Sequence, residues 1–307
     1  VTPTTEQIHP QALALDVQTL DAAVMAICDA QVQAAGVVAR CTAQLQAGGV
    51  AMAEAIRSDG KLYYVAAGSS GLMAAADAME LGGTFGIPSR QIEILMAGGV
   101  PSTAHMPGDV EDEVAQLSVA LAGLQSRDCL IAVTASGSTP YTLRAAKIAQ
   151  SVGATVIGIA NNPNAVLFDL STHAVALQTP PEVLSGSTRL GAGTAQKIAL
   201  NALSTLMGVA LGHVYQGMMV NLKADNIKLR ERARGIVCRI TQVDEAAATS
   251  ALARADGDVK TACLLSLGAQ TPELAHAALG AAEGHLGRAM SGLNLHIIKT
   301  EKLGVTL

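Results

Sequence analysis

The chain has no tryptophan, and only two phenylalanines and four tyrosines among its 307 residues. Stacking on nucleobases or on the faces of sugar rings is therefore poorly provided for. Positive charge is not in excess either: 20 Lys and Arg face 25 Asp and Glu, a net −5, which argues against a general nucleic-acid binder. The five cysteines (Cys28, Cys41, Cys129, Cys238 and Cys263) form no CxxC pair, and Cys28 and Cys129 stand among apolar neighbours. They read as reduced thiols of a cytoplasmic protein. The seven histidines include no HxxxH spacing, so a metal site has no support. No apolar run free of charge or glycine reaches the length of a membrane span, and residues 1–6 lack the charged and apolar regions of a signal peptide. Walker A and GxGxxG patterns are missing too, which disfavours a nucleotide ligand.

What the chain does have is two short hydrophobic runs that end in small hydroxylated loops. Leu62-Tyr63-Tyr64-Val65-Ala66-Ala67 stops at Gly68-Ser69-Ser70-Gly71, and an Ala-rich, helix-compatible segment through Glu80 follows. Leu130-Ile131-Ala132-Val133-Thr134-Ala135 likewise runs into Ser136-Gly137-Ser138-Thr139-Pro140 and a second helix. A strand, a small polar loop and a helix present backbone N–H groups and a positive helix end to an anion. A capped helix after a tight turn explains either loop alone. Two such strand ends in one parallel sheet can converge on one ligand at its carboxyl edge, and a small phosphate ester suits them best.

Further strands are expected at 92–96, 154–160 and 173–177, with Asn161-Asn162-Pro163 stopping one of them and a Gly-rich turn at 81–88. Acids at 109–113 would open a helix over 114–124. The alternation predicts an α/β fold, a doubly wound parallel five-stranded sheet flanked by helices. Residues 1–57 are expected as a helical segment packing on a phosphosugar-binding domain at 58–220. Residues 221–307 begin with a charge-dense linker and continue as a small helical domain, with helix starts near Asp244, Asp258 and Thr271.

These residues carry a resemblance. The two Ser/Thr strand ends are similar to those of a sugar isomerase (SIS) domain. Asp77-Ala78-Met79-Glu80, Ala97-Gly98-Gly99, Val110-Glu111-Asp112, Gly186-Ser187-Thr188-Arg189, the AGTAQK block at 192–197 and Asn226-Ile227-Lys228-Leu229 fall in the order of the N-acetylmuramic acid 6-phosphate etherase family, a relative of the glucokinase regulatory protein. The tail resembles that family's small ubiquitin-associated-like domain. The resemblance implies a carbon–oxygen lyase of amino-sugar catabolism and peptidoglycan recycling. Such an enzyme eliminates D-lactate from C3 of the phosphorylated amino sugar and adds water back, with no metal or redox cofactor. The family's catalytic pair falls on Glu80 and Glu111. Glu80 is expected to serve the leaving oxygen and the added water, and Glu111 to take the C2 proton. Phosphosugar contacts are expected from Gly68, Ser69, Ser70, Ser136, Gly137, Ser138 and Thr139. Glu182, Ser187, Thr188, Arg189 and Lys197 complete the set.

On sequence alone, Glu80 reads equally as a solvated helix residue, Glu111 as a helix N-terminal acid and Lys197 as a surface lysine. The chain departs from the family at Leu72, Ser138 and Gly191, where basic residues are usual, and at Gly82-Gly83. An aldose–ketose isomerase and a non-catalytic sugar-phosphate regulator are the alternatives; lactate release separates the etherase from both. An unbroken helix from Ser70 would put Glu80 about 15 Å along its axis from the phosphate loop. Either the segment is not one helix, or the site is completed by a second subunit; the homodimer with shared sites is the expectation.

Overall fold

The computed structural model describes residues 3–104, 106, 110 and 114–295. Five strands, β1 (Leu62–Ala66), β2 (Ile92–Met96), β3 (Cys129–Thr134), β4 (Thr155–Ala160) and β5 (His173–Ala176), form one sheet in the order β2-β1-β3-β4-β5. Every pairing is parallel. β1 and β3 are buried along their whole length, as parallel strands covered on both faces require.

Ahead of the sheet come α1 (Leu20–Gly36) and α2 (Thr42–Arg57), and α3 (Gly68–Phe85) follows β1. α4 (Leu117–Ala120), α5 (Pro140–Ser151) and α6 (Gly191–Ala210) complete this part. One face of the sheet packs Tyr63, Val65, Leu130, Ala132 and Val156 against α4 and α5. The opposite face carries α2, α3 and α6. Gly48 of α2 meets Leu203 and Ile157 there so closely that a Cβ would stand 2.6 Å from Leu203 Cδ2.

The remaining elements are a hairpin of β6 (Val214–Tyr215) and β7 (Met218–Met219), then α7 (Ile227–Thr241), α8 (Glu245–Arg254), α9 (Val259–Ser266), α10 (Pro272–Ala281) and α11 (Leu286–Gly292). Asn226, Asp244, Asp258 and Thr271 each cap a helix by accepting a backbone N–H three residues on. By internal contacts the chain forms two compact units, Val1–Glu80 with Ile87–Met207, and Leu81–Gly86 with Gly208–Leu307.

Three expectations are corrected. The Gly-rich turn at 81–88 is helical as far as Phe85, because Leu81 and Phe85, one turn apart, are both buried; the chain turns only at Gly86 (φ 67°). The helix expected over 114–124 shrinks among the described residues to the single turn Leu117–Ala120, flanked by i to i−3 bonds such as Leu124 N–H to the Leu121 carbonyl. Cys28 is exposed, since α1 buries the alanine stripe Ala23, Ala26, Ala30 and Ala34 on the other side.

By length and mean hydropathy (1.5), Leu20–Arg57 could cross a membrane. It is broken by a 3-10 turn at Val37–Cys41, and α2 packs on β1, β3 and β5 as a core helix does.

Burial pushes the Tyr64 hydroxyl well above its ordinary range, with the adjacent Asp77 adding to the shift. Burial also raises the Cys129 thiol and pushes Cys263 up to about 12. The native state keeps these protons while an unfolded chain loses them from about pH 8.5 for thiols and about pH 10 for tyrosine. Stability is therefore complete below about pH 8.5 and lost progressively above it. Urea midpoints should hold level from pH 7.5 to about 8.5 and fall from there to 10.5; a flat profile throughout would refute these assignments.

Candidate active site

β1 lies between β2 and β3, and the chain winds from β1 to β2 in one direction and from β3 to β4 in the other. The gap between the carboxyl ends of β1 and β3 is thus the point where strand order reverses, where open α/β sheets bind ligands. The register Ala66 opposite Val133 sets the segments after both strands side by side.

On the β1 side, Gly68 takes a left-handed φ of 54°, so the strand turns directly into α3. Ser69 is half-buried and Ser70 buried in its first turn. On the β3 side the hydroxyls are tied together: Thr134 Oγ1 stands 2.8 Å from Thr139 Oγ1 and 3.3 Å from Ser136 Oγ. Ser138 donates to Ser136 Oγ from both its N–H and its hydroxyl, each at 3.2 Å. Gly137 has φ 81°, and a Cβ there would collide with that of Ala165, so only glycine fits. Thr139 is the N-cap of α5 and Pro140 its first residue. Two helix N-termini and a set of hydroxyls therefore flank the crevice, the arrangement that holds a phosphoryl group without needing a cation. Beside the second loop, a cleft of about 260 Å³ is lined by Ser136, Ser138 and Asn162 and by Pro3, Thr4 and Gln7.

The third group of predicted residues surrounds the start of α6. Glu182 is buried, and its two oxygens accept the Gly191 and Ala192 N–H groups at 2.8 Å each. Its carboxylate is the N-terminal anion of α6 in this conformation, rather than a group presented to a ligand. A Cβ on Gly191 would approach Glu182 Oε2 to 3.0 Å and Ala34 Cβ to 3.1 Å, so a larger residue is crowded there. Ser187 and Thr188 sit half-buried in tight turns before the helix, and Arg189 and Lys197 are exposed. Thr194 donates to Gln31 at 2.7 Å and fastens α6 to α1.

Glu80 is exposed on α3. Because α3 is unbroken from Gly68 through Phe85, the residue sits about 15 Å along the axis from Ser70, beyond the span of one hexose phosphate. The exposed stripe that carries it includes Leu72, Ala76, Met79 and Gly83. One turn earlier, buried Asp77 accepts from Tyr64 Oη at 3.0 Å, Asn201 Nδ2 at 2.7 Å and Ser204 Oγ at 2.9 Å, pinning α3 to β1 and α6. Glu111 lies outside the described residues. The described residues on either side, Val110 and Val114, pack against the apolar cluster containing Ala67 and Tyr141, which adjoin the two loops.

The sequence reading missed the side chains that tie the loops together. Asn161 is fully buried, accepts from Gln196 Nε2 at 2.8 Å and donates to Thr179 Oγ1 at 3.3 Å, joining the end of β4 to α6. Asn162 donates to the Ser136 carbonyl at 3.0 Å. Their only local signal was two amides at the carboxyl end of a strand.

This switch point, with hydroxyl-rich loops on both sides, is that of a SIS domain, and the SIS domain family matches residues 29–161. Over 271 residues the chain is 43% identical to the N-acetylmuramic acid 6-phosphate etherase of Deinococcus radiodurans, covering 87% of this chain and 89% of the relative. The etherase of Geobacillus thermodenitrificans is 40% identical over 77% of this chain and 81% of its own length. That of Francisella tularensis is 34% identical over 86% and 90%. The chain belongs to the N-acetylmuramic acid 6-phosphate etherase family.

Proposed function

We propose that this chain is a carbon–oxygen lyase that removes D-lactate from the C3 ether of N-acetylmuramic acid 6-phosphate and leaves N-acetylglucosamine 6-phosphate. The observation that carries the reading is the coincidence of a hydroxyl-lined switch point with 43% identity to a named etherase over most of the chain. The phosphoryl group is held by the loops at 68–70 and 136–139 and by the N-termini of α3 and α5. In the open-chain aldehyde the C2 proton is acidified by the carbonyl. Glu111 takes that proton, electrons move to form the C2=C3 bond, and the C3–O bond breaks as Glu80 protonates the departing lactate oxygen. Glu80, now a carboxylate, deprotonates a water that adds at C3, and the proton on Glu111 returns to C2. Ser187, Thr188, Arg189 and Lys197 contact the sugar from the α6 side, with Glu182 holding that side in place.

The functional unit is a homodimer whose sites are shared. Glu80 is too far along α3 to serve its own phosphate loop, and it stands in an exposed stripe with Leu72 and Met79. α1 adds Leu20, Val24, Met25 and Val32, the last 71% exposed. Large apolar side chains gathered on exposed helix faces mark an interaction surface. Residues 58–220 act as the phosphosugar-binding part, with 1–57 packed on it and 221–307 as linker and helical domain. Five unpaired thiols suit a cytoplasmic location.

Incubating the purified chain with N-acetylmuramic acid 6-phosphate should release one lactate per sugar, and Glu111→Gln should not. Proton exchange between C1 and C2 without cleavage would mark an isomerase instead.

A further inference from the structure

We propose that Asn162 and Thr5 are positioning residues that set the second hydroxyl loop for the phosphoryl group, making the N-terminal turn a brace of the site; this rests on reading the crevice as a sugar-phosphate site. Asn162 stands two residues past the end of β4 and is 6% exposed; Thr5 is 3% exposed. The Asn162 amide uses both ends: Nδ2 donates to the Ser136 carbonyl at 3.0 Å and to Thr5 Oγ1 at 3.2 Å, and Oδ1 accepts the Thr5 N–H at 3.4 Å. Thr5 is thereby coupled to the loop through one side chain, across 157 positions of sequence.

The coupling acts on a particular peptide group. The carbonyl of Ser136 and the N–H of Gly137 belong to one planar unit, so fixing one fixes the other. Asn162 holds the carbonyl, and Thr134 Oγ1 accepts the Gly137 N–H at 3.3 Å. With this peptide locked from both sides, the Ser136 hydroxyl is placed to collect the two donors of Ser138, and the loop's hydroxyls are arranged before any ligand arrives. A loop whose backbone is fixed before binding loses little entropy when its hydroxyls turn from one another to an anion. The cleft of about 260 Å³ that Ser136, Ser138 and Asn162 line with Pro3, Thr4 and Gln7 lies on the β4 side of this loop, so the N-terminal turn braces the loop from behind.

The test compares Asn162→Ala, Thr5→Val and Thr5→Ser in the full chain. Binding of N-acetylglucosamine 6-phosphate is titrated by calorimetry, and KM, kcat and Tm are measured alongside. Asn162→Ala should weaken binding and raise KM about tenfold with kcat within about twofold, the loss expected when a preset anion grip is released. Thr5→Val should weaken binding about threefold, while Thr5→Ser, which keeps the hydroxyl and the N–H, should restore wild-type affinity. A merely structural role would lower Tm and the active fraction and leave Kd and KM unmoved; that result overturns the proposal. Should Asn162→Ala fail to fold, equal affinities for Thr5→Val and Thr5→Ser overturn it and a gap between them upholds it. The titration needs no turnover. A wild-type chain that binds the sugar phosphate without releasing lactate would defeat the etherase reading and leave this inference standing, and one that does not bind it would defeat both.

Discussion

Glu80→Gln should lower lactate release by about 10²–10⁴-fold while leaving the melting temperature unchanged, since a positioned acid–base group contributes that much and an exposed side chain contributes little to folding. Sugar-phosphate affinity should stay close to wild type, because the loops proposed to grip the phosphoryl group are untouched. The length of α3 makes a second, sharper consequence. If Glu80 works on sugar held by the partner's loops, a variant lacking the acid and a variant lacking the grip repair each other. Gly137→Val supplies the second kind of variant, because a side chain at φ 81° would collide with Ala165 and spoil the loop. Each variant alone should be nearly inactive. Unfolded, mixed in equal amounts and refolded, the pair should recover about a quarter of wild-type activity, since half of the resulting two-fold dimers are mixed and each has one intact site of two. No recovery from properly mixed dimers would place Glu80 in its own subunit's site and contradict the shared arrangement.

Asp77→Ala should be strongly destabilising. The carboxylate is buried and accepts from Tyr64, Asn201 and Ser204; removing it leaves the buried Tyr64 hydroxyl without an acceptor and costs half-buried Asn201 and buried Ser204 one bond each, though Ser204 can still turn to the Asn201 carbonyl. Each such donor costs about 1–3 kcal/mol, and bonds to a charged acceptor lie at the upper end, so a loss of about 3–5 kcal/mol follows after partial relaxation. At this chain length that corresponds to about 10 °C in Tm. Asp77→Asn keeps the shape but turns one acceptor into a donor facing other donors, and it should recover only part of the loss. Calorimetric melting of the three proteins decides the matter: an Asp77→Ala curve superimposed on the wild type would show that α3 is held by packing alone. Since Glu80 is one turn further along the same helix, activity should also fall, and more than the unfolded fraction accounts for.

The sheet was legible because buried parallel strands are short apolar runs that stop at small polar residues, as 62–67 and 130–135 do, while 92–96, with Glu93, is the half-buried edge strand β2. The two loops were legible as strand-to-helix turns, since glycine, serine and threonine are turn and cap residues; it was their pairing across one sheet that pointed to a ligand. Gly82 and Gly83 misled because glycine's weak helix propensity is outweighed when Leu81 and Phe85 bury one face of the turn they belong to; Phe85 packs so closely on Gly208 that a Cβ there would lie 2.5 Å from its ring. The helix expected after 113 had acids suited to a helix start, but among the described residues it closes a single turn, with Leu117, Leu121 and Leu124 buried beneath the sheet. Cys28 misled because its apolar sequence neighbours lie on a helix whose buried face is made of alanines. Asn162 and Thr5 were out of reach, since their bonds join segments 157 residues apart and nothing local marks them. Glu182 was legible as a singular acid but not as a cap, because its partners, Gly191 and Ala192, lie nine and ten residues on, across a folded loop.

Isotope placement asks directly whether the pair of acids breaks a bond at the sugar carbon. Turnover of N-acetylmuramic acid 6-phosphate in ¹⁸O-enriched water, with both products read by mass spectrometry, separates the two ways of cutting the ether. Once the exchangeable C1 oxygen has been washed out in ordinary water, elimination and readdition of water leave one heavy oxygen at C3 of N-acetylglucosamine 6-phosphate and none in the lactate hydroxyl. Heavy oxygen in the lactate hydroxyl with an unlabelled sugar would mean that the lactyl carbon is attacked instead, and the roles given to Glu80 and Glu111 would be wrong.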